Sequence, residues 1–275
     1  MEILRNMRYI EITELKQLQC EVMQIAHNFL TEHGLKYSLA CGTLIGAVRH
    51  NGYIPWDDDI DIYMPRSDYD KLIRIFPSVY NGYYKLISFE RSNKWCRPYA
   101  NLYDDRTVFY EKKSSVEEQI GVKIDIFPID SVPDDDKEWE KFNRKRKLLI
   151  YLHSAKFTAL RMANRTIFKN LVIILLKIVL LPFSSHTIVK YVDRYIKKYN
   201  HSGTKRLFET SCGILQKRPF LKEDFDDVIF HKFENYEFYI MKGFDDCLKN
   251  GFGNYMQLPP EQDRVSHHYY VAYWK

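Results

Sequence analysis

The sequence predicts an α/β protein: a mixed sheet core carrying a helical insertion at about residues 137–200. Three observations predict it. Apolar residues recur at helical spacing over 10–33, whereas residues 59–64 alternate polar and apolar with the period of a strand. Short apolar runs at 37–41, 84–89 and 122–129 have strand length and separate the helical stretches. Residues 137–200 change character: they are rich in Lys and Arg, contain no glycine and read as two or three helices. A chain of 275 residues is long enough for one such domain, 1–275, with its insertion.

The elements follow in order. Ile12, Leu15, Leu18, Val22, Ile25, Ala26 and Phe29 form a helical stripe, and Gly34 closes the helix. Tyr37 to Cys41 reads as a strand, Gly42-Thr43 as a turn and Leu44 to His50 as a short helix that breaks at Gly52 to Pro55. Ile60, Ile62 and Met64 alternate with Asp59, Asp61 and Tyr63 in a strand, and Ser67 caps a helix over 68–76. Between the strands at 84–89 and 122–129 lies a polar, aromatic segment without an assignable period. After Gly203 the mixed pattern returns, with a hairpin at 233–241 and a short helix at 243–250. There is no internal repeat and no low-complexity tract.

Composition excludes several classes. A hydrophobic fraction of 45% with 28% charged residues belongs to a folded soluble protein and not to a disordered one. The net charge of +5 suits an anionic substrate or membrane surface without demanding either, and no nucleic-acid partner is expected. The five cysteines, Cys20, Cys41, Cys96, Cys212 and Cys247, are scattered, odd in number and lack zinc-knuckle or redox spacing. A reducing cytoplasm is the simplest compartment, and the N-terminal residues show no export signal.

The segment IPWDDDIDIYM concentrates Asp57, Asp58, Asp59 and Asp61 within five positions. Residues two apart on a strand share a face, so Asp59 and Asp61 point together while Ile60 and Ile62 enter the core. Two carboxylates about 4 Å apart repel by about 4 kcal/mol at an effective dielectric near 20. A hard divalent cation relieves that repulsion, and Mg²⁺ (or Mn²⁺) prefers such oxygen ligands. The bland alternative is a solvated acidic turn after Pro55. Strand register and the upstream turn Ala40-Cys41-Gly42-Thr43-Leu44 weigh against it, because a Gly-Thr turn opening a helix presents backbone N–H groups and a hydroxyl to phosphate. A third acid is expected from another strand: Asp125 between Ile124 and Ile126, with Asp130 a second candidate or a turn cap.

These residues resemble the LicD family. The resemblance runs through ACGTLIGAVRHNGYIPWDDDIDIYMPRSDYDKL (40–72), GVKIDIFPIDSVP (121–133) and residues 233–268. It implies a nucleotidyltransferase-like fold related to fukutin and fukutin-related protein. It also implies transfer of a phospho-substituent, commonly phosphocholine from CDP-choline, to a sugar of a cell-surface glycan. By position, Asp59, Asp61 and Asp125 match the family's metal acids, and Gly42 and Thr43 its phosphate-binding turn.

On that implication a CDP-linked small alcohol is the donor, a metal held by the acids meets its diphosphate, and CMP leaves. Arg49 and His50 are placed to touch phosphate, and His267 and His268 to touch substrate or phosphate. A choline head group asks for aromatic faces, and Trp56, Trp95, Tyr99 and Tyr103 are the candidates, with core packing the alternative for each. Transfer of another phospho-alcohol or of the nucleotidyl half is the enzymatic alternative, and non-catalytic glycan or nucleotide binding the other. The run LVIILLKIVLL (171–181) is too short to span a bilayer, which needs about 20 residues; its length assigns it to the core. The alternative is an interfacial helix with Arg161, Arg165, Lys169 and Lys177 near lipid head groups, which would suit a lipid-linked acceptor and a peripheral position on the inner face of the membrane.

Overall fold

The structure, a computed structural model, describes residues 7–111, 120–157, 166–212, 216–265 and 270–275. In chain order it forms β1 (Tyr9–Ile10), α1 (Ile12–Glu32), β2 (Ser38–Leu39), α2 (Cys41–His50), β3 (Asp61–Pro65), α3 (Arg66–Val79) and β4 (Tyr84–Ile87). Then come β5 (Ala100–Glu111), β6 (Ile120–Val132) and the helices α4 (Asp136–Phe157), α5 (Ile167–Val179) and α6 (Ser185–Ile196). β7 (Arg206–Glu209), β8 (Phe220–Leu221), α7 (Glu223–Asp226), β9 (Val228–Phe233), β10 (Tyr236–Met241), α8 (Phe244–Phe252) and β11 (Tyr270–Trp274) complete it. The expected mixed α/β core and helical insertion are both present.

Among the described residues the main sheet has nine strands, with the order β1-β11-β5-β6-β3-β2; β4 joins β5, and β7 joins β6 and β8. Every pairing is antiparallel except β3 with β6. Helix α1 buries Leu15, Leu18, Val22, Ala26 and Phe29 of the expected stripe and adds Met23 and Leu30, whereas Ile12 is half exposed and Ile25 only partly buried. Gly34, at φ +62°, follows its end in the left-handed conformation that favours glycine.

Several boundaries differ from expectation. Gly42 and Thr43 lie inside the first turn of α2 and not in a turn before it. Ser67 is likewise inside α3, whose cap position is Pro65 and carries no capping side-chain bond. The hairpin is longer than expected, and Glu234 turns it at φ 55°. The unassigned segment contains β5. Its period is masked because Asn101, Asp104 and Thr107 are polar yet fully buried. Thr107 Oγ1 donates to the Asp104 carbonyl and accepts from Val122 N, satisfying an irregularity between Asp104 and Phe109. A Cβ at Gly121 would collide with that same carbonyl.

Asp130 is neither a site acid nor a turn cap. It is fully buried and forms a two-pronged ion pair with Arg66 (2.7 and 2.8 Å), and also accepts from Asn200 (2.6 Å) and Thr210. Arg66 reaches on to Asp193 at 3.3 Å, so one cluster joins α3, β6 and the helical insertion. Burial opposes the charge on Asp130, but Arg66 and the two hydrogen bonds prevail and hold its carboxyl below the usual range. Asp130→Asn should cost up to about 3 kcal/mol at neutral pH, because it leaves the buried Arg66 guanidinium with the longer contact to Asp193 in place of its two-pronged partner. The contribution of Asp130 is present above the ordinary carboxylate value near 3.8 and lost as pH falls through the lower folded value. Urea unfolding of both proteins at several pH values should therefore show the difference shrinking toward acid.

Candidate active site

The site begins with register. In the parallel β3–β6 pair Asp61 stands beside Asp125, Ile62 beside Ile126 and Tyr63 beside Phe127. Neighbouring strands lie about 4.8 Å apart, so the pairing brings two carboxylates together on one face. Ile60, Ile62, Ile124 and Ile126 are buried and fix the opposite face to the core, leaving the acids no other direction.

The acidic run before β3 is held from three sides. The Thr43 hydroxyl accepts from Asp61 N at 2.9 Å and lies 3.5 Å from the Asp59 carbonyl. Thr43 is itself buried, so this side chain ties the acidic strand to α2. From α1, Gln19 donates to the Asp58 carbonyl at 2.9 Å. From the β9–β10 turn, Glu234 accepts from Tyr53 N at 2.9 Å, and its side chain occupies the space a Cβ at Gly52 would need. A Cβ at Gly42 would collide in the same way with the carboxylate of Asp57. Glycine there lets an acid approach the first turn of α2, where backbone N–H groups favour negative charge. Cys41, the first residue of that helix, sits at φ 49° and contacts the Tyr63 hydroxyl through its sulfur at 3.3 Å. A left-handed conformation at a non-glycine residue costs on the order of 1–3 kcal/mol, and it lies in the wall of the site.

Asp57, Asp59 and Asp61 open into a cleft of about 600 Å³, while Asp58 is buried. Burial, then the charges of Asp59 and Asp125, push the Asp61 carboxyl well above its usual range. Asp125 is buried and receives Lys123 as an ion pair and Asn101 as a hydrogen-bond donor. Among the described residues no three His, Cys, Asp or Glu side chains are gathered tightly enough to hold a metal ion alone. An acidic pair facing a cleft nevertheless fits Mg²⁺, which is usually held by one or two carboxylates with substrate phosphates and waters.

Arg49 and Trp56 line the same cleft. Arg49 donates to the Tyr255 carbonyl and, through Nε, to His50 at 2.9 Å, tying α2 to the far wall. Burial first, and Arg49 second, lower the His50 pKa and favour its neutral form. Trp56 meets His50 edge-on at 6.5 Å and has the Arg264 guanidinium 5.9 Å from its ring. Trp95 is a core residue: it is buried and its Nε1 donates to the Tyr99 carbonyl. Tyr99 packs on Phe127 and accepts from Arg97 at 2.8 Å, and Tyr103 packs against the cluster around Trp95. None of these three lines the cleft. His267 and His268 lie outside the described residues.

Comparison with known proteins bears on this geometry. The nucleotidyltransferase domain described as LicD/FKTN/FKRP matches residues 34–163, which hold the acidic run and Asp125. The lipopolysaccharide cholinephosphotransferase LicD of Haemophilus influenzae is 32% identical over 264 residues, covering 94% of this chain and 96% of that protein. The chain belongs to the LicD family. Uncharacterised proteins of Rickettsia prowazekii and Rickettsia typhi match shorter stretches: 41% identity over 28% of this chain and 29% of the first protein, 43% over 24% and 22% for the second. The nucleotidyltransferase-like class expected from sequence is the class of this LicD domain.

Lys123, Asn101 and Asp57 are the site residues that sequence reasoning missed. Asp57 stood in plain view in the acidic run, and Lys123 two places before Asp125, hence on its face. Asn101 carried no signal, because its strand had no legible period. Asp61→Asn removes a carboxyl that its neighbours disfavour in the charged form, so the metal-free variant should melt higher than the parent. The scale is about 2–4 °C per kcal/mol relieved. Calorimetry across pH should show the gain growing as pH rises from the ordinary carboxylate value near 3.8, because only the ionised form is repelled.

Proposed function

We propose that this LicD-family protein transfers phosphocholine from CDP-choline to a sugar hydroxyl of a cell-surface glycan precursor, with release of CMP. The observation that carries the reading is the acidic pair Asp59 and Asp61 opening into a cleft beside Asp125. The Haemophilus relative, named a lipopolysaccharide cholinephosphotransferase and matched almost end to end, supports phosphocholine transfer to a surface glycan. The acceptor is then a precursor still on its lipid carrier, and the protein works in the cytoplasm, peripherally at the inner face of the membrane.

In this reading Asp59 and Asp61 would hold Mg²⁺ (or Mn²⁺), and Asp125, the third acid of the set, would share the ion or take the acceptor's proton. When bound, the ion neutralises charge on the diphosphate and on the leaving oxygen. Gly42 and the first turn of α2 bring backbone N–H groups to the phosphates, and Thr43 holds Asp59 and Asp61 at the angle the site requires. Arg49 lines the donor's path with neutral His50 bonded behind it, and His267 and His268 belong to the substrate-binding set. Trp56 offers its face to the quaternary ammonium, a contact worth about 0.5–2 kcal/mol. The acceptor hydroxyl attacks the phosphorus of the phosphocholine group in line. A new sugar O–P bond forms, the bond to the bridging oxygen breaks, CMP leaves and the hydroxyl proton passes to Asp125.

A panel of CDP-alcohols with glycan precursors, read by mass spectrometry, tests the assignment. CMP with a phosphocholine-bearing glycan is expected; a nucleotidylated acceptor would assign the other half of the donor to transfer, and tight binding without turnover would make the protein a binder. Asp59→Asn and Asp61→Asn should abolish transfer and also remove the rise in melting temperature that Mg²⁺ or Mn²⁺ gives the parent. Trp56→Ala should raise the KM for CDP-choline more than for a CDP-linked polyol. Equal losses with every donor at matched folded fraction would show that Trp56 serves only the Pro55 turn.

A further inference from the structure

The apolar stretch at 171–181 is not core. In α5 only Ile173 is buried. Phe168, Leu171, Leu175 and Ile178 are exposed by 75%, 58%, 61% and 57% and recur every three or four residues, which places them on one outward face. Leu181, just past the helix end, is exposed by 72% and extends the face. Lys177, the charge that interrupts the run in sequence, folds back to donate to the Lys156 carbonyl at 3.2 Å. Lys156 in turn donates to the Leu180 and Phe183 carbonyls at the end of α5. Lys177, the one cation inside the stretch, thus serves a backbone carbonyl, as Lys156 of α4 does, and the outward face stays apolar. No helix among the described residues is long and apolar enough to cross a membrane.

The surroundings of this face are basic. The described residues of 136–199, which exclude 158–165, hold thirteen Lys and Arg against four Asp and Glu, a net +9, while the chain as a whole carries only +5. On α4, Lys141, Arg144, Lys145 and Leu148 recur at helical spacing and line a groove of about 680 Å³ with Tyr195 and Lys198. Leu148, and Tyr151 about one turn on, are half exposed on the same helix, which packs against both α5 and α6.

We propose that the outward face of α5 and the basic groove between α4 and α6 form a docking surface for an anionic lipid bilayer. A helix apolar on its outer side and flanked by cations suits the boundary between acyl chains and head groups. Positive side chains are drawn there by the surface potential of anionic lipid. Charge also decides against a second copy of the chain as the occupant, since that contact would bring two strongly positive layers together. The proposal rests on the proposed function only for its purpose, delivery of the site to a lipid-linked acceptor.

The test uses the full chain with phosphatidylglycerol vesicles and, separately, phosphatidylcholine vesicles. Sedimentation with the anionic vesicles is expected, weakened by added salt. Leu171→Ser with Leu175→Ser should lower the partition coefficient by about tenfold or more. Lys141→Glu with Lys145→Glu, at positions exposed enough to leave folding intact, should remove the preference for anionic lipid. A folded parent that stays in the supernatant with both vesicles overturns the proposal. So does concentration-dependent dimerisation without lipid that the serine variant abolishes. Circular dichroism identifies a serine variant that has unfolded, in which case the lysine variant decides. Phosphocholine transfer to a soluble sugar acceptor should be unchanged in both variants. Vesicle binding without any such transfer would count against the proposed function alone.

Discussion

The structure depends on one pairing: β3 beside β6, parallel, with Asp61 next to Asp125. It is the one parallel contact in a sheet otherwise antiparallel among the described residues, and it forms the centre of the sheet. Ile60 and Ile62 on one side and Ile124 and Ile126 on the other fix its register by burial, because a slip of one residue would turn the acids into the apolar core and the isoleucines toward the cleft. The same apolar burial that stabilises the sheet therefore forces like charges together. The neighbouring elements complete the constraint: Thr43 from α2 and Gln19 from α1 hold the acidic run, and Glu234 from the hairpin holds Tyr53 in the segment that leads into it. What results is a preorganised acidic site.

Two buried aspartates show how surroundings divide their roles. Asp130 has a matched guanidinium and two further donors, so its charge is stabilised and it serves architecture. Asp61 has two acids for neighbours, and its charged form is held at a disadvantage that a cation or a proton would relieve. Each follows an isoleucine in an apolar strand, Ile60 before Asp61 and Ile129 before Asp130, and the partners that the fold delivers separate them. Lys123 supplies a partial answer within the site by pairing with Asp125.

The helical layer divides the molecule electrically. Taking residues 136–199 out of the chain's 41 basic and 36 acidic side chains leaves 26 basic and 32 acidic, so the remainder is net negative while the helices are strongly positive. The Arg66–Asp130–Asp193 cluster fastens the two together through α3, β6 and α6. An acidic cleft and a positive, partly apolar helical layer are thus carried on one connected frame.

Much of the site was legible in the sequence. Asp59, Asp61 and Asp125 announced themselves by alternating with isoleucine, since strand periodicity is local, and Gly42-Thr43 by its place before a helix. The helices α1 and α8 and the strands β3 and β6 followed from the same local rule. The sequence could not show what depends on partners remote in the chain. The buried polar residues of β5 hid its period because their hydrogen bonds are met by β6 and by an irregularity in the ladder. Asp130 was ambiguous until Arg66 stood beside it, and Trp95 was separable from Trp56 only by burial. The apolar stretch at 171–181 read as core because length and hydropathy describe a helix but not its neighbours. Tertiary packing covered one side of α5 and left the other bare, which is a property of the assembled layer and not of any segment within it.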